Sequence, residues 1–300
     1  MKIAIITHLP INPKENEMLL EAAKDKTGDG VLIDIDDLIL GTTNNAPFVT
    51  WANGNFLDYD VYLIRDIWHA MKKAIIVINW LKWNKKVVID NNLAEVQYTI
   101  NKIRTFFELA QAGLQVPRTF YPQSKTHFKK YVEEAGYPVV IKSNSAGKGA
   151  YVYKCDDEAA VKELLKQIEK SGHKYEKYLI QEYIPYKRDL RIFVLGGEAV
   201  AAMHRIPKPG NFQANYSMGG TVEVTELTPT IKMIAEKAAK AARAEFGGVD
   251  LLETDRGEYY ALEVNRTPGF DGISKATGQD FGEMIIEYCI KRFAQKPTQK

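Results

Sequence analysis

The sequence predicts a chain of mixed α/β and α+β class. An α/β layer with a parallel sheet runs to about residue 90, and a helix-rich remainder built on antiparallel sheet follows. Three observations predict it. Short apolar runs alternate with helically spaced segments over the first hundred residues, the pattern of parallel strands with crossover helices. Farther on, Gly196-Gly197 and Asp255-Arg256-Gly257 each separate two strand-like runs, which signals hairpins. The length of 300 residues fits about two domains at roughly 150 residues each.

In the first part, Lys2 to Thr7, Val31 to Ile35, Val61 to Ile64 and Lys85 to Ile89 read as strands, with helices over Glu15 to Lys26 and Trp68 to Lys82. All four tryptophans, at 51, 68, 80 and 83, fall here and are expected to fill the core or one face of this layer. A long helix in two segments is expected over Leu93 to Ala112, ended by Gly113 as a C-cap. Ser124 caps a helix to Ala135, and Asp156 caps another to about Lys170, since short polar side chains accept the free amides of a first turn. Tyr137 to Lys142, Ala150 to Lys154, Tyr178 to Tyr183, Asp189 to Leu195 and Glu198 to Met203 read as strands. Thr228 to Phe246 carries a narrow apolar stripe through Ile231, Ile234, Ala235, Ala238, Ala239 and Ala242, a helical period; Gly247-Gly248 is expected to stop it. Val249 to Glu253 and Tyr259 to Asn265 form a hairpin, and a last helix runs from about Asp280 to Phe293.

Composition narrows the function. Forty Lys plus Arg against 38 Asp plus Glu leave a net charge of +2, so no bulk field directs the chain to nucleic acid or an anionic membrane. No apolar run approaches the roughly 20 residues that cross a bilayer. Two cysteines, Cys155 and Cys289, are too few for a disulfide framework. With no signal-peptide pattern in Met1 to Pro10, a reduced, cytoplasmic compartment is expected.

The chemistry-bearing residues cluster late. Lys142 ends a strand and precedes Ser143-Asn-Ser-Ala-Gly-Lys-Gly149. So small a loop can bring backbone N–H groups to phosphate oxygens, or it is a plain hairpin turn; it matches neither common glycine-rich nucleotide fingerprint. Asp250 lies in one arm of the last hairpin, and Glu263 and Asn265 lie two apart in the other. Period-two spacing puts that pair on one face, where Asp250 can face it. Three hard oxygen donors suit Mg²⁺; a solvated sheet edge is the other reading. Arg191, Arg205 and Arg266 stand next to strand ends. Arg266, before the Pro268-Gly269 turn, is placed to meet an anion in a bidentate way.

Taken in order, these strings resemble the ATP-grasp superfamily, and more closely its RimK-like branch of carboxylate–amine ligases. They are N-K at 101–102, YPVVIKSNSAGKGA at 137–150, QEYI at 181–184, DLRIFVLGGEAVAAM at 189–203, NYSMGG at 215–220, GVDLLE at 248–253 and EVNRTPGF at 263–270. The resemblance covers roughly 95 to 285. It implies an ATP-grasp fold with an N-terminal parallel α/β domain over 1–95, linker helices and a small lid domain over 96–183, and a C-terminal antiparallel-sheet domain with the metal site over 184–300. It further implies that Lys102 and Lys142 contact ATP phosphates, that the loop with Gly147, Lys148 and Gly149 closes over them, and that residues 125–180 exclude water. Gln181, Glu182, Tyr183 and Ile184 would form the adenine-facing hinge, with Asp189 near the ribose and Asn215 near phosphate. Asp250, Glu263 and Asn265 would hold Mg²⁺, with Mn²⁺ as a substitute. Arg191 and Arg205 would face the reacting acyl phosphate.

The implied reaction joins a carboxylate acceptor (a small molecule, or a C-terminus or side chain of a carrier protein) to an amino-acid amine such as glutamate. ATP first makes the carboxylate an acyl phosphate, and the amine then displaces phosphate. Positioning and positive charge carry such chemistry, so no covalent nucleophile is needed. Nucleic acid and membrane are not expected partners; a homodimer or homotetramer is usual in similar enzymes. The chain departs from the pattern at Phe212-Gln213 and Met218, where arginines are common, and at Arg266, where a small residue is usual. Asp60-x-x-x-x-Arg65 resembles the place of an acceptor-facing arginine. Two alternatives use the same fold: a kinase that stops at phosphoryl transfer, and a non-catalytic ATP-binding protein.

Overall fold

The computed structural model describes residues 1–93, 101–145, 151–208 and 221–295. The chain divides into two compact units, residues 1–97 with 267–300, and residues 98–266.

The first unit opens with β1 (Ile3–Thr7), α1 (Pro13–Thr27), β2 (Gly30–Asp34), β3 (Ile39–Thr43), β4 (Ala46–Thr50), β5 (Val61–Ile64), α2 (Met71–Trp83) and β6 (Val87–Ile89). Four strands form a sheet in the order β2-β1-β5-β6, parallel throughout. Every residue of β1 and β5 is buried, as expected of strands covered on both faces. Ala4, Ile6, Tyr62 and Ile64 pack with Val77, Ile78 and Leu81 of α2. Trp51, Trp68 and Trp80 join this core, but Trp83 stands 73% exposed. Trp68 to Ala70, expected as helix, is a separate 3₁₀ turn before α2. The β3–β4 hairpin has no counterpart in the sequence reading. Its Asn44-Asn45 turn has φ of 39° and 76°, the left-handed pair that a two-residue hairpin turn requires.

The second unit holds α3 (Lys102–Gln111), β7 (Thr119–Phe120), α4 (Lys125–Ala135), β8 (Val139–Ser143), β9 (Val152–Cys155), α5 (Glu158–Lys170), β10 (Tyr178–Glu182), β11 (Arg188–Leu195), β12 (Glu198–Ile206), β13 (Thr221–Thr225), α6 (Pro229–Ala241), β14 (Phe246–Glu253) and β15 (Tyr259–Asn265). Two antiparallel sheets result, β7-β10-β8-β9 and β13-β12-β11-β14-β15. The smaller packs Ile141 and Ile180 against Phe128 and Val132 of α4 and Leu164, Leu165 and Ile168 of α5. The larger packs Leu190, Ile192, Val249 and Leu251 against the alanine stripe of α6. This is the ATP-grasp arrangement, with an N-terminal parallel sheet, a small lid region and a C-terminal antiparallel sheet.

Several boundaries differ from expectation. Within the long helix expected over 93–112, the described helix is α3 alone; Asn101 caps it by accepting from Arg104 N. Asp157, not Asp156, caps α5 through a 2.8 Å bond to Ala160 N. The α6 helix, capped by Thr228, ends at Ala241 rather than Phe246. Arg243 turns left-handed at φ 54° and breaks the helix although Ala242 and Ala244 continue its apolar rhythm. Gly247 then lies inside β14, where a Cβ would stand 3.1 Å from the Asn265 carbonyl oxygen. The chain returns to the first unit as α7 (Asp271–Thr277) and α8 (Phe281–Ala294, capped by Asp280).

Candidate functional site

The functional face of the larger sheet follows from strand alternation. Leu190, Ile192, Val249 and Leu251 point into the α6 core, so Asp189, Arg191 and Asp250 point the other way. Register aligns Arg191 with Asp250 and Asp250 with Glu263, one polar row across β11, β14 and β15. Arg191 pairs with Asp250 through Nε and through a 3.0 Å Nη2–Oδ2 bond. Arg205 Nη2 lies 3.2 Å from Asp250 Oδ2 and also binds Asp189, whose Oδ1 accepts from Nε at 2.9 Å. Both arginines and both aspartates are largely buried, where ion pairs hold only if geometry and hydrogen bonds are nearly complete.

Two lysines join the row from other elements. Lys102 opens α3, and its Nζ donates to Glu263 Oε2 at 2.8 Å. Its backbone N donates to Asn144 O, while Ile103 N donates to Asn144 Oδ1, tying α3 to the end of β8. Lys142 lies in β8 with Nζ 4.7 Å from the Phe106 ring centroid, a cation–π seat. Burial, with the nearby Lys102 charge, pushes the Lys142 ammonium down to about 7 despite Glu263 and Asp250. Burial acting alone would raise the Glu263 carboxyl, but Lys102, Arg191 and Lys142 outweigh it and hold it below the ordinary value. At Asp189 burial wins, and the carboxyl is raised against the pull of Arg205. Burial opposes the Arg205 charge, yet Asp250 and Asp189 keep that guanidinium firmly protonated.

The hinge expected at 181–184 is built on the end of β10. Gln181 is buried and donates to Thr119 Oγ1 at 2.7 Å. The Glu182 carboxylate accepts from Arg118 N and Arg118 Nε, each at 2.8 Å. Lys154 Nζ sits 4.7 Å over the Tyr183 ring, and Ile184 is half-buried. Arg118, Thr119, Phe106 and Asn144 were not singled out from sequence. They lie far in sequence from the residues they contact.

The structure thus brings together Lys102, Lys142, Asp189, Arg191, Arg205, Asp250 and Glu263. Asn265 shares the Glu263 strand face, opposite Gly248. Arg266 is corrected: it points to the carboxyl end of α6, donating to Ala242 O and, at 3.3 Å, to Arg243 O. The period-two step that turns Glu263 and Asn265 toward the polar face turns Arg266 away, and burial pushes its guanidinium down to about 10. Arg65 is fully buried, bonded to Glu15 Oε2 and Pro268 O at 3.2 Å and stacked 5.0 Å over Phe270, all within the first unit. Gly147, Lys148, Gly149 and Asn215, with the departures at 212–218, lie outside the described residues.

The carboxylates and amide at 250, 263 and 265 fit a hard cation. All three offer oxygen, and two of them stand at facing register positions; a bound ion would share Asp250 with Arg191 and Arg205 and Glu263 with Lys102.

A family model described as a RimK-like ATP-grasp domain matches residues 99–289. The chain belongs to the RimK-like ATP-grasp family. It is an ATP-dependent ligase that forms C–N bonds, joining carboxylates to amines. A probable α-L-glutamate ligase of Picosynechococcus is 30% identical over 99% of the chain and 98% of its own length. Probable α-L-glutamate ligase 2 of Hahella chejuensis is 28% identical over 100% and 98%. The fold also matches the ATP-grasp ligase PsnB, solved with minimal precursor, Mg and ADP, at TM-score 0.71, 15% identity and 98% coverage of both chains. Among the described residues, no helix is long and apolar enough to cross a membrane.

Proposed function

We propose that the chain activates an acceptor carboxylate with Mg·ATP and joins it to the α-amine of L-glutamate. The observation that carries this is the continuous polar row Lys102–Glu263–Asp250–Arg191 with Lys142 beside it. Its cations suit developing phosphoryl charge, and its oxygens suit a hard cation. The ligase activity belongs to the family; the choice of glutamate rests on the two glutamate-ligase relatives, and Mg²⁺ on the oxygen donor set and the Mg and ADP held by PsnB.

In this reading Asp250, Glu263 and Asn265 hold the Mg²⁺. The ion, when bound, supplies charge neutralisation between triphosphate and carboxylate. Lys102 and Lys142 face the phosphates, and Lys142 takes up a proton as the anion arrives. Gln181 to Ile184 receive the adenine. Because Arg118 occupies the Glu182 carboxylate, the hinge offers main-chain groups to the base. Asp189 lies on the ribose side. Arg191 and Arg205 leave their aspartates enough to stabilise oxygens of the acyl phosphate, electrostatic support aimed at the transition state. The carboxylate oxygen attacks the γ-phosphorus and ADP leaves; the amine attacks the carbonyl and phosphate leaves, carrying that carboxylate oxygen. Gly147, Lys148, Gly149 and Asn215 complete the phosphate cradle, and 1–95, 96–183 and 184–300 are the functional divisions. The acceptor is a small carboxylate or the carboxylate of a peptide or protein, and the enzyme works in the cytoplasm as a homo-oligomer.

Phosphate release from Mg·ATP, measured for a panel of amino acids with metabolite and peptide fractions and followed by product mass spectrometry, tests this. Glutamate-dependent release with a mass gain of one glutamyl residue is expected. A stable phosphorylated metabolite without amide formation would replace the ligase reading of this site by a kinase.

A further inference from the structure

Three loops at the carboxyl edge of the parallel sheet bring His8, Asp36 and His69 together. Register pairs Thr7 of β1 with Asp34 of β2, so His8 and the turn Ile35–Asp37 emerge side by side. Ile6 pairs with Ile64 of β5, and the chain beyond β5 folds into the 3₁₀ turn Trp68–Ala70, which carries His69. In open parallel sheets, ligands bind at this edge, where the strand order reverses. In the order β2-β1-β5-β6, that point lies between β1 and β5.

The donor atoms lie close enough to converge on one ion, with His69 and Asp36 joined by a hydrogen bond. His69 Nε2 lies 3.0 Å and His8 Nδ1 3.6 Å from the same oxygen, Asp36 Oδ2. One ligand atom from each residue lies within 4.8 Å of the others. Metal bonds of about 2.0–2.2 Å in a tetrahedral shell put neighbouring donors about 3.3–3.5 Å apart. The two imidazoles lie 3.9 Å centroid to centroid, tilted by 44°, and ring packing alone gives no reason for both to aim a nitrogen at one carboxylate oxygen. His8 Nδ1 is a buried atom without an aligned hydrogen-bond partner.

The surrounding bonds brace the backbone of the two loops that carry His8 and Asp36; the Asp36 and His69 side chains are exposed. Asp34 accepts from Asp36 N through Oδ1 at 2.9 Å and from Leu9 N through Oδ2 at 3.1 Å, bracing both loops. Lys73 Nζ holds the Asp36 carbonyl at 3.0 Å.

We propose that His8 Nδ1, His69 Nε2 and Asp36 Oδ2 bind a divalent transition metal of the zinc type, with a coordination position left for solvent or a ligand oxygen. Two imidazoles with one carboxylate select such ions over Mg²⁺, which prefers an all-oxygen shell. The centre therefore differs in chemistry from the oxygen set of the ligase site.

Chelator-stripped full-length protein is titrated with Co²⁺ and then Zn²⁺, followed by visible absorption and calorimetry. One Co²⁺ per chain, with the intense bands of a low-coordinate nitrogen–oxygen site and displacement by Zn²⁺, is expected. Glu263→Gln keeps this signal. Asp34→Asn weakens binding about 10–100-fold, the range for an outer-shell partner, and His8→Ala or His69→Ala weakens it further, with unchanged circular dichroism in each variant. Unaltered Co²⁺ binding in the folded His8→Ala,His69→Ala double variant would overturn the assignment, as would loss of the signal in Glu263→Gln or a spectrum of six oxygen ligands.

Discussion

Lys142 shows at the scale of one residue how the site trades stability for charge. Its ammonium is depressed from 10.5 to about 7, while the unfolded chain binds that proton up to its ordinary value. Folding therefore carries a full penalty below about pH 7. The penalty fades as pH rises toward 10.5, because there the unfolded chain alone holds the extra proton. Lys142→Met should be more stable than the parent below neutrality by on the order of a few kcal/mol, and nearly inactive. Urea midpoints of both proteins across pH 6 to 10 check this: the difference should shrink as pH rises, and a constant difference would contradict it. That Asp250 and Glu263 face each other around this lysine was readable in sequence, because they and Asn265 sit on two strands joined by a short turn, where alternation dictates the face. The depressed lysine was not, because Phe106, Lys102 and the burial that lowers it come from another helix.

At the scale of elements, the ends of helices and strands decide which side chains reach the site. Arg266 leaves β15 on the wrong face for substrate and instead satisfies carbonyls at the end of α6, groups a helix cannot pair internally. Arg266→Ala should lower stability by about 1–3 kcal/mol, with KM for ATP and the amine substrate nearly unchanged; a rise confined to the amine KM would restore a substrate role. The hinge gives the opposite expectation. Arg118→Ala removes an exposed charged bond from Glu182, worth about 0.2–1 kcal/mol, and should raise the ATP KM by about 2- to 5-fold with kcat little changed, the signature of lost uniform binding. The last hairpin and the Ser124 cap were legible because local spacing and turn chemistry determine them. Where α6 ends was not, since its alanine rhythm runs past the left-handed Arg243. The β3–β4 hairpin escaped notice because Asn-Asn is a quieter turn signal than glycine.

At the scale of the whole molecule, the polypeptide combines a parallel sheet unit with a unit of two antiparallel sheets, and the residues proposed for the ligase reaction concentrate in the second. The family pattern was legible because its strings keep their order from 101 to 270. The His8–Asp36–His69 cluster was not, because strand register alone joins loops that far apart. The central claim is that Glu263, with Asp250 and Asn265, holds the divalent ion that accompanies the nucleotide. The most direct measurement is water-proton relaxation of Mn²⁺ with a non-hydrolysable ATP analogue, in a His8→Ala,His69→Ala background that removes the proposed histidine site. The parent of that background should bind nucleotide-dependent Mn²⁺, and adding Glu263→Gln should weaken it by about 100-fold or more, beyond the range of an outer-shell change. Equal Mn²⁺ binding with and without the Glu263 carboxylate would contradict the account.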